Sequence, residues 1–271
     1  MSTQRANGID IHYETAGQGE PLLLLHGLGS RSEDWQLQVP AFAEQYRVIT
    51  ADMRGHGRTS KPPGPYSVPM MAADVFGLLD ALGIDAAHVV GLSMGGMIAF
   101  QMAVDRPERV RSLVIVNSAP ALVARTFSER LRVWQRLALA RLFNPARTAQ
   151  FLGPRLFPKP EQAELRQMFV AQWAQNDPRA YRAAMRALVG WSVLDRVSAI
   201  RCPTLIVSGD RDYTPPAAKE GYTALIPNAR LVVIDDSGHA TPIDQAERFN
   251  AVVLEFLADV GRVGNPPLRR S

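Results

Sequence analysis

The chain has 271 residues, 46% hydrophobic and 21% charged, which suits one large domain with a substantial core and excludes a disordered chain. The formal charge is +4, but no aromatic–basic binding motif appears, so nucleic acid is not an expected partner. The one cysteine, Cys202, cannot form an intramolecular disulfide or a cysteine metal cluster, and the five histidines are scattered without H-x-x-x-H spacing, so no metal is expected.

In chain order, Ile9–Thr15 alternates polar and apolar residues and reads as an antiparallel edge strand. Leu22–Leu25 and Val48–Ala51 are short continuous apolar runs, the pattern of strands buried on both faces of a parallel sheet. The first run leads into His26-Gly27-Leu28-Gly29, the second into Asp52-Met53-Arg54-Gly55-His56-Gly57. Helical spacing covers Met70–Leu82; Val89–Gly91 is the next strand, Met94–Val104 the next helix and Leu113–Asn117 the next strand. No strand pattern recurs from about Pro120 to Val197, where helical stretches rich in Arg, Ala and Leu are broken at Asn144-Pro145, Gly153-Pro154 and Phe157-Pro158. Strands resume at Thr204–Ser208 and Leu231–Ile234, and a helix is expected over Pro242–Asp259.

Strands alternating with helices predict an α/β chain with a mostly parallel sheet covered on both faces. The core is expected over 1–119 and 199–262, a helical cap over 120–198, and a frayed tail over 263–271. No apolar run approaches bilayer length and no secretory apolar segment follows Met1, so no membrane partner and a cytoplasmic location are expected. Pro120–Ser198 carries 12 Arg and 1 Lys against 5 Asp and Glu, a balance of +8. An Arg-rich solvated helical face accounts for it; a field that draws anionic substrates into a cleft is the functional alternative.

The chemistry centres on Gly91-Leu92-Ser93-Met94-Gly95-Gly96, a G-x-S-x-G pattern between a strand and a helix. A serine on such a sharp turn exposes its hydroxyl, and small neighbours keep the approach clear. The helix N-terminus then favours negative charge developing beside it. Ser93 is therefore the candidate nucleophile, against the plainer reading of a helix-capping serine. The glycine-rich loop at His26–Gly29 leaves the carboxyl end of a buried strand, where open α/β sheets bind ligands. Two backbone N–H groups, those of Leu28 and Met94, are the candidate oxyanion hole. An acid that orients a histidine is expected just past Thr204–Ser208, where Asp210 and Asp212 compete. His239, in Asp236-Ser237-Gly238-His239, is the last histidine and completes the order Ser, Asp, His. His12, His56 and His88 take structural readings, and Cys202 reads as a buried structural thiol.

Together these motifs resemble the α/β-hydrolase family, the branch with a helical cap inserted after the sixth strand, over about Gly8 to Val260. The resemblance implies that the catalytic acid lies three residues after the strand-ending glycine and four before a proline, which selects Asp212 over Asp210. It leaves Asp195, Asp235 and Asp236 as surface or turn acids, Arg54 and His56 as structural, and Asp74 as a helix-face acid near the core. A serine at the elbow, rather than an aspartate, implies acyl transfer without a cofactor and disfavours dehalogenase or epoxide hydrolase chemistry. The Leu-Ser-Met-Gly-Gly elbow is most similar to carboxylesterases and to enol-lactonases of the 3-oxoadipate type, with a small-molecule ester or lactone as substrate. Cofactor-free haloperoxidases or perhydrolases and carbon–carbon bond hydrolases use the same triad, and a noncatalytic small-molecule receptor can retain it. Trp134, Trp173 and Trp191 are either cap core or the lining of an aromatic-friendly pocket. These alternatives stay open at the level of sequence, as does the oligomeric state.

Overall fold

The computed structural model describes residues 2–124 and 126–264. Its strands are β1 (Ser2–Ala6), β2 (Ile9–Ala16), β3 (Glu20–Leu25), β4 (Tyr46–Ala51), β5 (Ala87–Leu92), β6 (Val110–Val116), β7 (Thr204–Gly209) and β8 (Ala229–Ile234). They form one sheet in the order β1-β2-β4-β3-β5-β6-β7-β8, antiparallel at β1–β2 and β2–β4 and parallel throughout the rest. The helices are α1 (Val39–Ala43), α2 (Val68–Ala81), α3 (Met94–Asp105), α4 (Phe127–Leu142), α5 (Pro145–Leu156), α6 (Ala163–Trp173), α7 (Pro178–Leu188), α8 (Pro216–Thr223), α9 (Thr241–Asp244) and α10 (Ala246–Gly264).

Successive side chains of a strand point to opposite faces, so each buried strand feeds two cores. Leu23, Leu25, Val89, Leu113, Ile115 and Ile206 pack with α2 and α3 on one face. Leu22, Leu24, Val90, Val114, Val116, Leu205 and Val207 pack on the other with Phe42 of α1 and Phe249, Val253 and Phe256 of α10. The four leucines of β3 are wholly buried, each contributing about 1.5–3 kcal/mol. Helix α3 is buried on nearly every side from Met94 to Ala103, which explains its all-round apolar sequence.

From β3 the chain crosses to β4 on one side and then returns to β5 on the other. The strand order therefore reverses between β3 and β5, and the crevice at their carboxyl ends is a switch point where α/β sheets bind ligands. Between β6 and β7 runs an insertion whose described residues include the α-helices α4 to α7. Its two ends are pinned side by side: Leu122 N–H donates to the Trp191 carbonyl (2.8 Å) and Gly190 N–H to the Leu122 carbonyl (2.9 Å).

Two sequence expectations need correction. Ile9–Thr15 is antiparallel as read, but it is not the edge, because β1 pairs along it from Ser2↔Tyr13 to Ala6↔Ile9. The polar residues of β1 are mostly exposed, as an edge strand tolerates, and this polarity disguised it. The helix expected over Pro242–Asp259 is two helices, interrupted at Gln245 (φ −135°, ψ 47°). The break frees Asp244 to turn back and accept from Ser237 Oγ (2.9 Å) and Gly238 N–H (2.7 Å). Helix α10 continues to Gly264, and the rest of the expected frayed tail, 265–271, lies outside the described residues. No helix among the described residues is long and apolar enough to cross a membrane.

Candidate active site

Ser93 follows β5 with φ 52° and ψ −111°, a conformation that costs a non-glycine residue about 1–3 kcal/mol. It occupies the N-cap position of α3, yet its side chain makes no capping hydrogen bond. The hydroxyl is thus not committed to the helix, which counts against the helix-capping reading. The strained backbone is held from several sides. Ser93 N–H donates to the Val116 carbonyl (2.9 Å), and the Ser93 carbonyl accepts from Met97 N–H (3.1 Å) and Ser118 Oγ (2.7 Å).

The turn is possible only because Gly95 lacks a Cβ, which would collide with the Leu25 carbonyl of the neighbouring strand. Gly95→Ala is expected to destabilise the protein by about 1–3 kcal/mol, read as a lower midpoint in urea denaturation.

Met94, the first residue of α3, is fully buried, and Leu28 is 7% exposed. Neither backbone N–H donates to a backbone carbonyl among the described residues. The Leu28 loop lies against the elbow, since a Cβ on Gly27 would sit 3.6 Å from Ser93 Cβ. One of these donors stands at the N-terminus of α3 directly after the serine, the other in the loop packed against the elbow. His26 anchors the loop by donating from Nδ1 to the Gly27 carbonyl (2.7 Å) and accepting Met53 N–H at Nε2 (2.9 Å). Burial pushes its pKa down, consistent with a neutral structural imidazole. His56 is likewise structural: burial pushes it down to about 3, and its Nδ1–H meets the Arg54 carbonyl at 3.0 Å.

The two acids after β7 have different partners. His239 Nδ1–H donates to Asp212 Oδ1 at 2.6 Å, while Asp210 Oδ1 accepts Ser237 N–H (2.8 Å) and braces the histidine loop. Burial alone would raise the Asp212 carboxyl, but hydrogen bonds and charge from His239 and Lys219 outweigh it and hold the group below the usual carboxylate range. Tyr213 stacks on the His239 ring, with centroids 4.3 Å apart and planes 20° apart. The remaining acids stand elsewhere: Asp195 is exposed, Asp235 pairs with Arg248, and Asp236 pairs with Lys159 and Arg211.

Asn117, at the end of β6, was not singled out in the sequence, yet it joins three strand ends. Its Nδ2 donates to the carbonyls of Gly238 (3.1 Å) and His239 (2.9 Å), and its Oδ1 accepts Gly209 N–H (2.9 Å). Ser118, next to it, holds the Ser93 carbonyl, so one short segment ties the serine turn to the histidine loop. Gly209 permits that closeness, since a Cβ there would strike the Ser237 and Gly238 carbonyls. Lys219 was also missed, and it donates to Asp212 Oδ2 at 2.6 Å. A polar residue directly after a buried strand was the available signal for Asn117.

The insertion reaches the site through α6. Trp173 packs against Gly29 (φ 79°), and Asn176 Nδ2 donates to the Gly29 carbonyl at 2.7 Å. The other two tryptophans do not join it: Trp134 is 66% exposed, and Trp191 Nε1 donates to Gln101 on α3 (2.7 Å).

Residues 20–246 match the family described as alpha/beta hydrolase fold. The chain is 33% identical to a protein of Azorhizobium caulinodans provisionally named carbamate hydrolase RutD, the match covering 93% of this chain and 96% of that one. It is 30% identical to 3-oxoadipate enol-lactonase 2 of Acinetobacter baylyi, covering 93% and 94%. Its structure is similar to that of the enol-lactonase from Burkholderia xenovorans, with a TM-score of 0.88 and 27% identity over 95% of this chain and all of that one. With the serine elbow, the reversed strand order and a family match spanning most of its length, the chain belongs to the α/β-hydrolase family.

Proposed function

We propose that the protein is a serine hydrolase that cleaves a small carboxylic ester or lactone through an acyl-enzyme, with 1–119 and 199–262 as its core and 120–198 as a cap over the site. The observation that carries this reading is Ser93, held at φ 52° at a helix N-terminus with its hydroxyl free of capping. On the loop that Asn117 and Ser118 tie to the serine turn, the His239–Asp212 hydrogen bond gives a base in the required tautomer, because Nδ1 carries the proton and Nε2 is left to accept one.

His239 takes the proton of Ser93 Oγ as the oxygen attacks the substrate carbonyl carbon. Negative charge moves to the carbonyl oxygen, where the N–H groups of Leu28 and Met94 stabilise it. Collapse breaks the bond to the alkoxy oxygen, which leaves with the proton from His239; in a lactone the alcohol stays attached and the ring opens. Water then repeats the attack on the acyl-enzyme, giving its proton to His239 and releasing the acid and free Ser93. No cofactor takes part in these steps. The names enol-lactonase and carbamate hydrolase among the relatives support an acyl carbonyl as the reacting group.

Steady-state hydrolysis of short-chain p-nitrophenyl esters and of a lactone panel tests the substrate class. Turnover of at least one member is expected. A folded protein that turns over none of them contradicts the ester or lactone assignment.

A further inference from the structure

Lys219 lies on α8 with its side chain 0% exposed, a costly place for an ammonium group. Its Nζ donates to Ser208 Oγ (2.9 Å), Asp212 Oδ2 (2.6 Å) and the Thr214 carbonyl (2.7 Å). Three acceptors match the three donors of an ammonium group, so its hydrogen-bonding capacity is filled. The residue type carries information too. The chain has 27 Arg and only 3 Lys, at positions 61, 159 and 219. A compact, rotatable head fits converging acceptors where a planar guanidinium fork does not, and Lys219 is the fully buried member of the three.

The Asp212 carboxylate is thereby shared between two donors, with Oδ1 on His239 and Oδ2 on Lys219. We propose that Lys219 is a positioning residue of the triad, pinning Asp212 so that Oδ1 faces His239 and offsetting part of the carboxylate's field at the imidazole, which extends activity toward acid pH. This rests on the reading of Ser93, His239 and Asp212 as a catalytic triad. Other ionisable groups surround the pair. Tyr213 stacks on His239, Tyr222 of α8 donates to the Ser118 carbonyl, Asp210 and Asp244 accept N–H groups of the histidine loop, and the charges of Arg136 and Arg155 reach Tyr213 from the insertion. Burial holds both phenols well above their ordinary range, so they stay neutral. Lys219 is the cation in direct contact with Asp212 among the described residues.

Lys219→Met removes the charge and keeps most of the volume. The acidic limb of kcat/KM for a p-nitrophenyl ester is expected to move up by about one pH unit, because the Asp212 charge then acts on His239 without its counter-charge. Lost orientation is expected to lower kcat about tenfold with KM unchanged. In an Asp212→Asn background the same substitution is expected to add less than about a twofold change. A lysine of purely structural value would lower Tm and kcat alike at every pH without moving the limb, and that result overturns the proposal.

A second measurement does not depend on the variant folding. In wild-type protein labelled with 15N-lysine, the Nζ signal most protected from solvent exchange is that of Lys219. It is expected to shift with pH at the same midpoint as the acidic limb of activity, and a signal that stays flat across that limb overturns the proposal. Ester turnover that persists in Ser93→Ala gives a different pattern: it removes the triad reading, and the proposal with it, whatever Lys219 does.

Discussion

Ser93→Ala is expected to lower kcat/KM for ester hydrolysis by about 10⁴- to 10⁶-fold while leaving the thermal midpoint nearly unchanged. That loss is about 5–8 kcal/mol of transition-state stabilisation. It is large because, in the proposed mechanism, the hydroxyl forms the covalent bond on which both halves of the reaction depend, with His239 and Asp212 acting through it. Losses from replacing Ser93 and His239 together are expected to be far from additive for the same reason. Stability is spared because the Ser93 side chain does not cap α3, and the bonds that hold the turn come from its backbone. Ser93→Gly separates strain from chemistry. Glycine relaxes at φ 52°, so this variant is expected to be inactive yet about 1 kcal/mol more stable in urea denaturation. A Ser93→Ala protein that keeps a tenth of its activity, or a Ser93→Gly protein that is less stable than wild type, contradicts these expectations.

Asp74→Ala is expected to destabilise the protein by about 3–5 kcal/mol, the largest stability loss among the substitutions considered. Asp74 accepts from Arg54 Nε (2.7 Å) and a guanidinium terminal nitrogen (2.5 Å), and from Asn7 Nδ2 (2.7 Å). The paired side chains are 9% and 4% exposed, so removing the carboxylate strands a buried guanidinium. The pair also locks the turn after β4, whose Met53 N–H is held by His26 of the candidate oxyanion loop. The exposed pair Arg5–Asp10, with side chains 66% and 55% exposed, provides the contrast, and Asp10→Ala is expected to cost no more than about 1 kcal/mol. Urea denaturation of the two variants checks both values. Equal losses contradict the buried-pair account. Replacing both partners, as in Arg54→Met with Asp74→Leu, is expected to recover much of the loss because no charge is left unpaired.

Features set by local chemistry were legible in the sequence. The elbow requires small residues around one serine between a strand and a helix, and that requirement is written in six consecutive residues. The apolar runs of β3, β5, β6 and β7 declared a buried parallel sheet because both faces of each strand are covered. Features set by partners distant in the chain were harder to read. Strand β1 has no apolar pattern of its own and went unread, although Asn7-Gly8, with φ 46° and 78°, is a hairpin turn signal in front of Ile9. Choosing Asp212 over Asp210 needed the family spacing, since both follow the same strand and only the fold shows which one meets His239. The break between α9 and α10 goes with Asp244 turning back to Gly238, a contact that helical periodicity cannot encode. Lys219 sits where helix spacing suggests an ordinary surface lysine. Its rarity in an arginine-dominated chain was the one available hint.

The most direct test of the serine hydrolase assignment is peptide mapping by mass spectrometry after treatment with a fluorophosphonate. The expected result is a single adduct on Ser93, absent from Ser93→Ala and from denatured protein. Folded protein that takes up no label, or carries it on a different residue, contradicts the assignment.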